Sequence, residues 1–314
     1  MAQKTMDYRH RPAKNIERHL LIEACRRVLA AYPAHRKKFQ YVGFGALEFL
    51  DFQLVHRALG IEQMISIEKK RTARHEFNKP FKSIKIIEGH SNHVLPGGEI
   101  DLKRPTIIWL DSMDGLNKSV IEDLVTLGRT LSAPSFLIVT INAHPVTPES
   151  ERLNSLSRAV GSQYVPPGTT DGSLAKDGLA IAQRTIIEEV LKEAVLQRRD
   201  PVQWMQTMNF QYRDGAVMQT VAGMIVPQSM TRRDVDQVFS DIDFYRPGSD
   251  YIDLRVPVIT VKERVLLDRQ LPKGSKAPLL AKSIPKDDLI AYRQVYRYLH
   301  LAGLQSAVET SWTA

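Results

Sequence analysis

Tyr41-Val42-Gly43-Phe44-Gly45-Ala46, followed by an amphipathic segment and then by Met64-Ile65-Ser66-Ile67-Glu68, is the stretch that decides how this chain is read. An apolar strand runs into a glycine turn, a helix follows, and a second apolar strand ends on an acid. Glycine at 43 and 45 lets backbone approach a ligand without a Cβ in the way, and an acid at the tip of the next parallel strand is placed to accept both hydroxyls of a ribose. This is the wiring of a nucleotide-type cofactor pocket.

Outward from this unit, apolar strands and helices alternate. Strands are expected at 39–42, 64–67, 84–87, 106–110 and 135–141, and helices at 46–59, from Arg71, and at 119–131. Strands this apolar are covered on both faces, so the expected fold is α/β, with a doubly wound, mostly parallel sheet whose ligands lie at the C-terminal strand ends. Upstream, Ile16, Leu20, Leu21, Ala24, Cys25, Val28 and Leu29 share one stripe of a helix over 12–32, which makes Cys25 a core residue rather than a nucleophile. Downstream, Pro145, Pro148, Pro166, Pro167 and Gly168 mark a long loop or lid over 146–173. A helix is expected over 174–197, and Arg213-Asp214-Gly215-Ala216 signals an antiparallel hairpin between strands at 208–212 and 217–221. Thr260-Val261-Lys262-Glu263 opens a short helix as a capping box. The last helix, 286–301, carries Tyr292, Tyr296 and Tyr298 and stops at Gly303. The segmentation that follows is a basic N-terminal helical segment at 1–37, a cofactor-binding domain at 38–227, and a C-terminal helical extension at 228–314 packed on the same domain.

Composition narrows the function classes. The chain has 314 residues and a single cysteine, which excludes an internal disulfide framework, and Met1-Ala2-Gln3-Lys4 lacks the apolar run of a secretory signal, so a cytoplasmic protein is expected. No window approaches the roughly eighteen uninterrupted apolar residues of a membrane span. Of the net charge of +8, +7 falls in residues 1–38. That cluster is either a solvated basic face or a surface that meets nucleic acid or another anionic partner with salt-sensitive affinity.

The candidate site residues follow from the strand ends. Glu48 stands where a dinucleotide fingerprint has its third glycine and would repel a pyrophosphate, which counts against NAD. S-adenosylmethionine, which has a ribose and adenine but no phosphates, tolerates such an acid. The expected cofactor contacts are Gly43, Phe44, Gly45, Glu68, Lys69, Gly89, His90, Ser91 and Asp111; the alternative for Glu68 is a solvated acid paired with Lys69 or Lys70. Asp111, in Trp109-Leu110-Asp111-Ser112-Met113-Asp114, is the expected catalytic residue, open to the roles of general base, metal ligand or electrostatic partner of the transferred group. Arg11, Lys14, Asn78, Lys79 and Asn142 are the expected substrate contacts, with a helix stop as the other reading of Asn78-Lys79-Pro80. His90 and His93 have no nearby cysteine or third histidine in sequence, so no metal site is expected.

Glycine turn, strand-end acid, polar turn, Asp after the fourth strand and closing hairpin together resemble the class I S-adenosylmethionine-dependent methyltransferases. More narrowly, Arg11-Pro12-Ala13-Lys14, His56-Arg57-Ala58-Leu59-Gly60-Ile61, Phe77-Asn78-Lys79-Pro80-Phe81 and Tyr212-Arg213-Asp214-Gly215-Ala216 resemble a bacterial group of O-methyltransferases of unassigned substrate. The resemblance implies methyl transfer to an oxygen or nitrogen nucleophile. It departs at Tyr41, where the larger family has an acid, and at Leu47, where it has a third glycine. Asp111-Ser112-Met113-Asp114 lacks the prolines of the branch that methylates base nitrogens, and Ile141-Asn142 lacks the Asp-Asn pair of the metal-dependent branch. The alternative is a catalytically silent protein of the same fold, whose basic N-terminus and tyrosine-rich C-terminal helix dock a protein or nucleic-acid partner.

Overall fold

The computed structural model describes residues 11–272 and 279–299; the expected Gly303 stop lies outside the described residues. The chain divides into two compact units, one made of Met1–Leu20, Tyr212–Gly215 and Asp253–Ala314 and the other of Leu21–Gln211 and Ala216–Ile252.

The larger unit is built on the expected alternation. Its strands are β1 (Gln40–Gly43), β2 (Met64–Glu68), β3 (Ile84–Glu88), β4 (Thr106–Gly115), β5 (Ser135–Asn142), β6 (Val202–Asp214) up to Gln211 and β7 (Ala216–Pro227); the end of β6 and all but the first residue of the short β8 (Ile252–Leu254) fall in the smaller unit. The sheet order is β3-β2-β1-β4-β5-β7-β6-β8. Strands β1 to β5 are parallel, and β7 runs antiparallel to β5, so the mixed sheet closed by a hairpin is the one expected. Consecutive β1 and β2 are neighbours, but the chain crosses over to place β4 on the other side of β1. Such a reversal opens a crevice at the C-terminal strand ends.

Helices cover both faces of the parallel part of this sheet, which is why β1, β2, β4 and β5 are mostly apolar. On one face α5 (Lys118–Thr130) and α7 (Gly178–Leu196) bring Val120, Leu124, Leu127, Ile186, Ile187 and Leu191 against Val42, Ile108, Leu110, Leu137 and Val139. Gly128 lets the two helices close up, since a Cβ there would stand 2.6 Å from that of Ala194. On the other face α2 (Leu50–Leu59) packs Phe52 edge-on to Tyr41, ring centroids 4.9 Å apart. Cys25 is buried in α1 (Pro12–Ala31), and burial pushes its thiol well above the usual range, as befits a core residue.

Several elements differ from the sequence reading. α2 starts at Leu50 and not at 46, because Ala46 and Phe49 hold φ of 47° and 50°, a left-handed conformation that no right-handed helix continues. β4 runs past Leu110 to Gly115 through a bulge: Asp111 pairs with Thr140 and Gly115 with Asn142. The 146–173 passage is not irregular throughout, since it folds around α6 (Arg152–Val160), whose Leu156 and Val160 join the core. α3 (Ala73–Asn78), α4 (Ser91–Val94) and α8 (Arg232–Val238) complete the larger unit.

In the smaller unit the hairpin tip caps a helix. The carboxylate of Asp214 accepts the Ala13 N–H at 3.2 Å and the Lys14 N–H at 2.8 Å, which serves two of the amides left open in the first turn of α1. Gly215, at φ 110°, makes the turn that presents it. Lys14, fully buried, lies 2.9 Å from Glu17 and over the Tyr212 ring. The two motifs Arg11-Pro12-Ala13-Lys14 and Tyr212-Arg213-Asp214-Gly215-Ala216 therefore form one structural contact. The remaining helices are α9 (Val261–Asp268), opened by the expected Thr260 capping box, and α10 (Lys286–Leu299), whose Tyr292 hydroxyl donates to Asp268.

Two expected outcomes follow. Asp214→Ala strips both cap bonds and should cost about 1–2 kcal/mol of stability in urea unfolding, whereas Asp214→Asn retains most of it; an unchanged midpoint for the alanine variant would refute the cap. The second concerns Asp123 in α5, whose Oδ2 accepts the Ser91 hydroxyl at 2.6 Å while burial raises its carboxyl to about 7. The folded chain then keeps a proton that the unfolded chain releases near pH 4, so this group makes stability fall as pH rises from about 4 to about 7. Asp123→Asn should flatten that slope, by up to about 4 kcal/mol, in unfolding measured at intervals across that range.

Candidate active site

The turn between β1 and α2 is held by the tip of β2. Ser66 is paired in register with Gly43, and its Oγ accepts the Gly45 N–H at 2.9 Å. Glu68, two residues on and on the same face, accepts the Ala46 N–H at 3.0 Å and the Ser66 hydroxyl at 2.7 Å, both on Oε1. Its Oε2 faces His75 Nε2 at 3.6 Å. The Thr72 N–H donates to His75 Nδ1 at 3.1 Å, so in the neutral ring it is Nε2 that carries the proton and faces the carboxylate.

The two glycines serve packing within the chain. A Cβ at Gly43 would stand 2.8 Å from the Tyr41 hydroxyl oxygen, and one at Gly45 would stand 2.4 Å from the Phe49 ring and 2.8 Å from Ser66 Oγ. The faces expected to clear space for a ligand are occupied by Tyr41, Phe49 and Ser66. Phe44, between them, is half-buried against the core.

At the tip of β3, Gly89 donates its N–H to the Glu68 carbonyl at 2.9 Å and holds φ of 146°. His90 is exposed, and Ser91 spends its hydroxyl on Asp123. Lys69 is exposed beside Glu68. Asn78 ends α3, and Lys79 pairs with Glu76 at 2.7 Å and donates to the Ile84 carbonyl at 3.3 Å, the contacts of a helix stop. Asp111 is half-buried within β4, at its last regular pairing before the bulge, opposite Thr140. Arg11 and Lys14 fall in the other unit, where Lys14 is committed to Glu17 and Tyr212 and has no exposed surface to offer a substrate.

Beyond the bulge of β4 lies a cleft of about 600 Å³, lined by Gly115 to Asn117, Asn142, His144 to Thr147, Arg152, Ser155, Leu156, Ala159, Leu174, Leu179 and Gln183. Asn142 is placed there by β5, and its Oδ1 is held by the His144 N–H at 2.8 Å. Asn117 caps α5 by accepting the Val120 N–H. Ser66, His75, Arg152 and Gln183 were not among the residues expected from sequence. Ser66 and Gln183 had a signal, each being a polar residue on an otherwise apolar buried stripe; His75 and Arg152 had none. Among the described residues no cluster of three or more His, Cys, Asp or Glu is placed to hold a metal ion, and no helix is long and apolar enough to cross a membrane.

No curated protein matches the sequence. Among solved structures, a putative hemolysin from Lactococcus lactis is 12% identical over 68% of this chain and 93% of its own, with a TM-score of 0.37. Trm1 from Pyrococcus horikoshii, solved with S-adenosyl-L-methionine, is 11% identical over 73% of this chain and 58% of its own, with a TM-score of 0.41. A putative O-methyltransferase from Klebsiella pneumoniae is 14% identical over 72% of this chain and 92% of its own, with a TM-score of 0.35. The family model described as Putative O-methyltransferase matches residues 6–300, almost the whole sequence, and the chain belongs to that family, with a class I methyltransferase-like fold.

Proposed function

We propose that the chain is an S-adenosylmethionine-dependent methyltransferase acting on an oxygen or nitrogen nucleophile. The observation that carries this reading is the Glu68 unit: an acid at the tip of β2, oriented by Ser66 and Ala46, with one oxygen left over at the crevice beside the β1–β4 crossover. The donor set fits the cofactor, because Oε2 of Glu68 is free of backbone bonds and remains able to accept a ribose hydroxyl. Glu68 would hold the ribose, the backbone of Gly43 to Gly45 the amino-acid end, and Gly89 to Ser91, mainly through backbone and His90, the adenine edge; Phe44, Lys69 and Asp111 would border it. When bound, the cofactor supplies an electrophilic methyl carbon on a sulfonium, to which the acceptor's lone pair bonds as the carbon–sulfur bond breaks. Asp111 would take the proton the acceptor gives up, and Asn142 and the walls of the neighbouring cleft would orient the acceptor and exclude water.

Calorimetric titration tests the reading. S-adenosylmethionine and its demethylated product should bind, NAD should not compete, and Glu68→Gln should weaken binding about tenfold or more. Absence of binding by either ligand at millimolar concentration would sink the reading; binding that Glu68→Gln leaves unchanged would overturn the ribose assignment alone.

One observation favours a second reading, a docking protein of the same fold: Tyr41 and Phe49 fill the faces that the glycines leave open. The basic segment then matters. Lys14 and Arg18 are buried and Arg27 pairs with Glu23 and Asp241, but Arg36, Lys37 and Lys38 are exposed on a 3-10 turn. On this reading the protein binds single-stranded nucleic acid at low salt, the affinity falls steeply as salt rises, and replacing these three residues with alanine removes most of it. A gel-shift series that shows no complex at low salt would rule this out.

A further inference from the structure

Two polar atoms on the wall of the β4–β5 cleft lack hydrogen-bond partners among the described residues. Gln183 is 3% exposed and lines the cleft. Its Nε2 donates to the Asn142 carbonyl at 3.2 Å, which fixes the orientation of the amide and leaves Oε1 as a buried acceptor without a donor. Arg152, at the start of α6, donates from Nε to the Val146 carbonyl, and its buried Nη1 is ion-paired with the exposed carboxylate of Glu149 at 3.1 Å without making a hydrogen bond to it. A buried acceptor left without a donor carries an uncompensated desolvation cost, and a ligand that brings the missing donor recovers it.

The rest of the lining says what lies between those two atoms. Leu116, Leu156, Ala159, Leu174 and Leu179 form apolar walls, and the acid at the edge, Glu149, is paired with Arg152. α5 also opens onto it at its N-terminus, through Asn117, and a helix N-terminus favours negative charge. The volume of about 600 Å³ is that of a small-molecule site.

We propose that this cleft takes a small hydroxylated carboxylic acid: an apolar body against the leucines, a carboxylate at Arg152 and a hydroxyl donating to Gln183 Oε1. The assignment rests on the methyl-transfer reading only in that it makes this compound the class of acceptor; the binding itself stands apart from the cofactor. The test is therefore run without S-adenosylmethionine, so that its failure is separable from failure of the cofactor titration above. Binding of 4-hydroxybenzoate, benzoate, 4-hydroxybenzyl alcohol and tyramine to the full chain is measured by calorimetry. 4-Hydroxybenzoate should bind about tenfold more tightly than benzoate or the alcohol, and tyramine should not bind. Arg152→Gln should abolish the advantage over the alcohol, and Gln183→Met the advantage over benzoate. Thermal unfolding establishes that each variant is folded, and Arg152→Gln, nearer the surface, keeps the test decisive if Gln183→Met is not. Equal binding of benzoate and 4-hydroxybenzoate to the unaltered chain, tighter binding of tyramine, or no binding at millimolar concentration would each overturn the proposal.

Discussion

The Glu68 carboxylate accepts the Ala46 N–H and the Ser66 hydroxyl on the same oxygen, and Ser66 in turn accepts the Gly45 N–H, so the tip of β2 dictates the path of the chain leaving β1. That path is strained: Ala46 and Phe49 are both left-handed without being glycine, each at about 1–2 kcal/mol. Burial of the Phe49 ring and the three hydrogen bonds offset the strain. The carboxylate thus holds the turn through one oxygen and faces His75 through the other. Glu68→Gln keeps an acceptor for Ala46 while altering what faces His75, whereas alanine would release the whole turn.

The same turn changes what its glycines mean. Read from sequence, Gly43 and Gly45 make room for a ligand; in the fold, they make room for Tyr41, Phe49 and Ser66. Tyr41 sits where the larger family has an acid, and its phenol lies across the face that a Cβ at 43 would need. Tyr41 and Gly43 are therefore coupled: a larger residue at 43 would displace the ring, which is itself packed edge-on against Phe52 in α2. The departure at 41 is absorbed by packing against Phe52 and leaves the hydrogen bonds of Glu68 and Ser66 to the turn in place.

How much was legible follows from what each element depends on. β1 to β3 and β5 were readable because strands covered on both faces must be apolar, and Asn142 fell at the end of β5, whereas Asp111, expected at a strand end, lies within β4 where its regular pairing stops. The late start of α2 was not readable, since left-handed Ala46 and Phe49 are imposed by Ser66 and Glu68, more than fifteen residues away. α6 had a weak apolar stripe, Leu153, Leu156 and Val160, hidden among prolines that signal loop. Lys14 reads as one more cation of a basic segment, and only the fold shows that Glu17 and Tyr212 bury it. In the site, Gln183 could have been noticed as the one amide on the buried stripe of α7, but nothing in sequence says that its carbonyl lacks a donor.

The bulge of β4 ties these parts together. Between its pairings with Thr140 and Asn142, β4 advances four residues, Asp111 to Gly115, while β5 advances two. The extra residues, with Met113 and Asp114 exposed, carry the chain outward before α5 begins at Lys118 behind its Asn117 cap. Asp111 is left at the last regular pairing of β4, and Gly115, Leu116 and Asn117 become the floor of the cleft under α6. An unbulged β4 would place Met113 opposite Asn142, with its side chain where the cleft is now bounded by a glycine. The cleft therefore exists because β4 is longer than its partner, and a deletion within 112–114 would close it while leaving the Glu68 turn, built from β1 and β2, untouched.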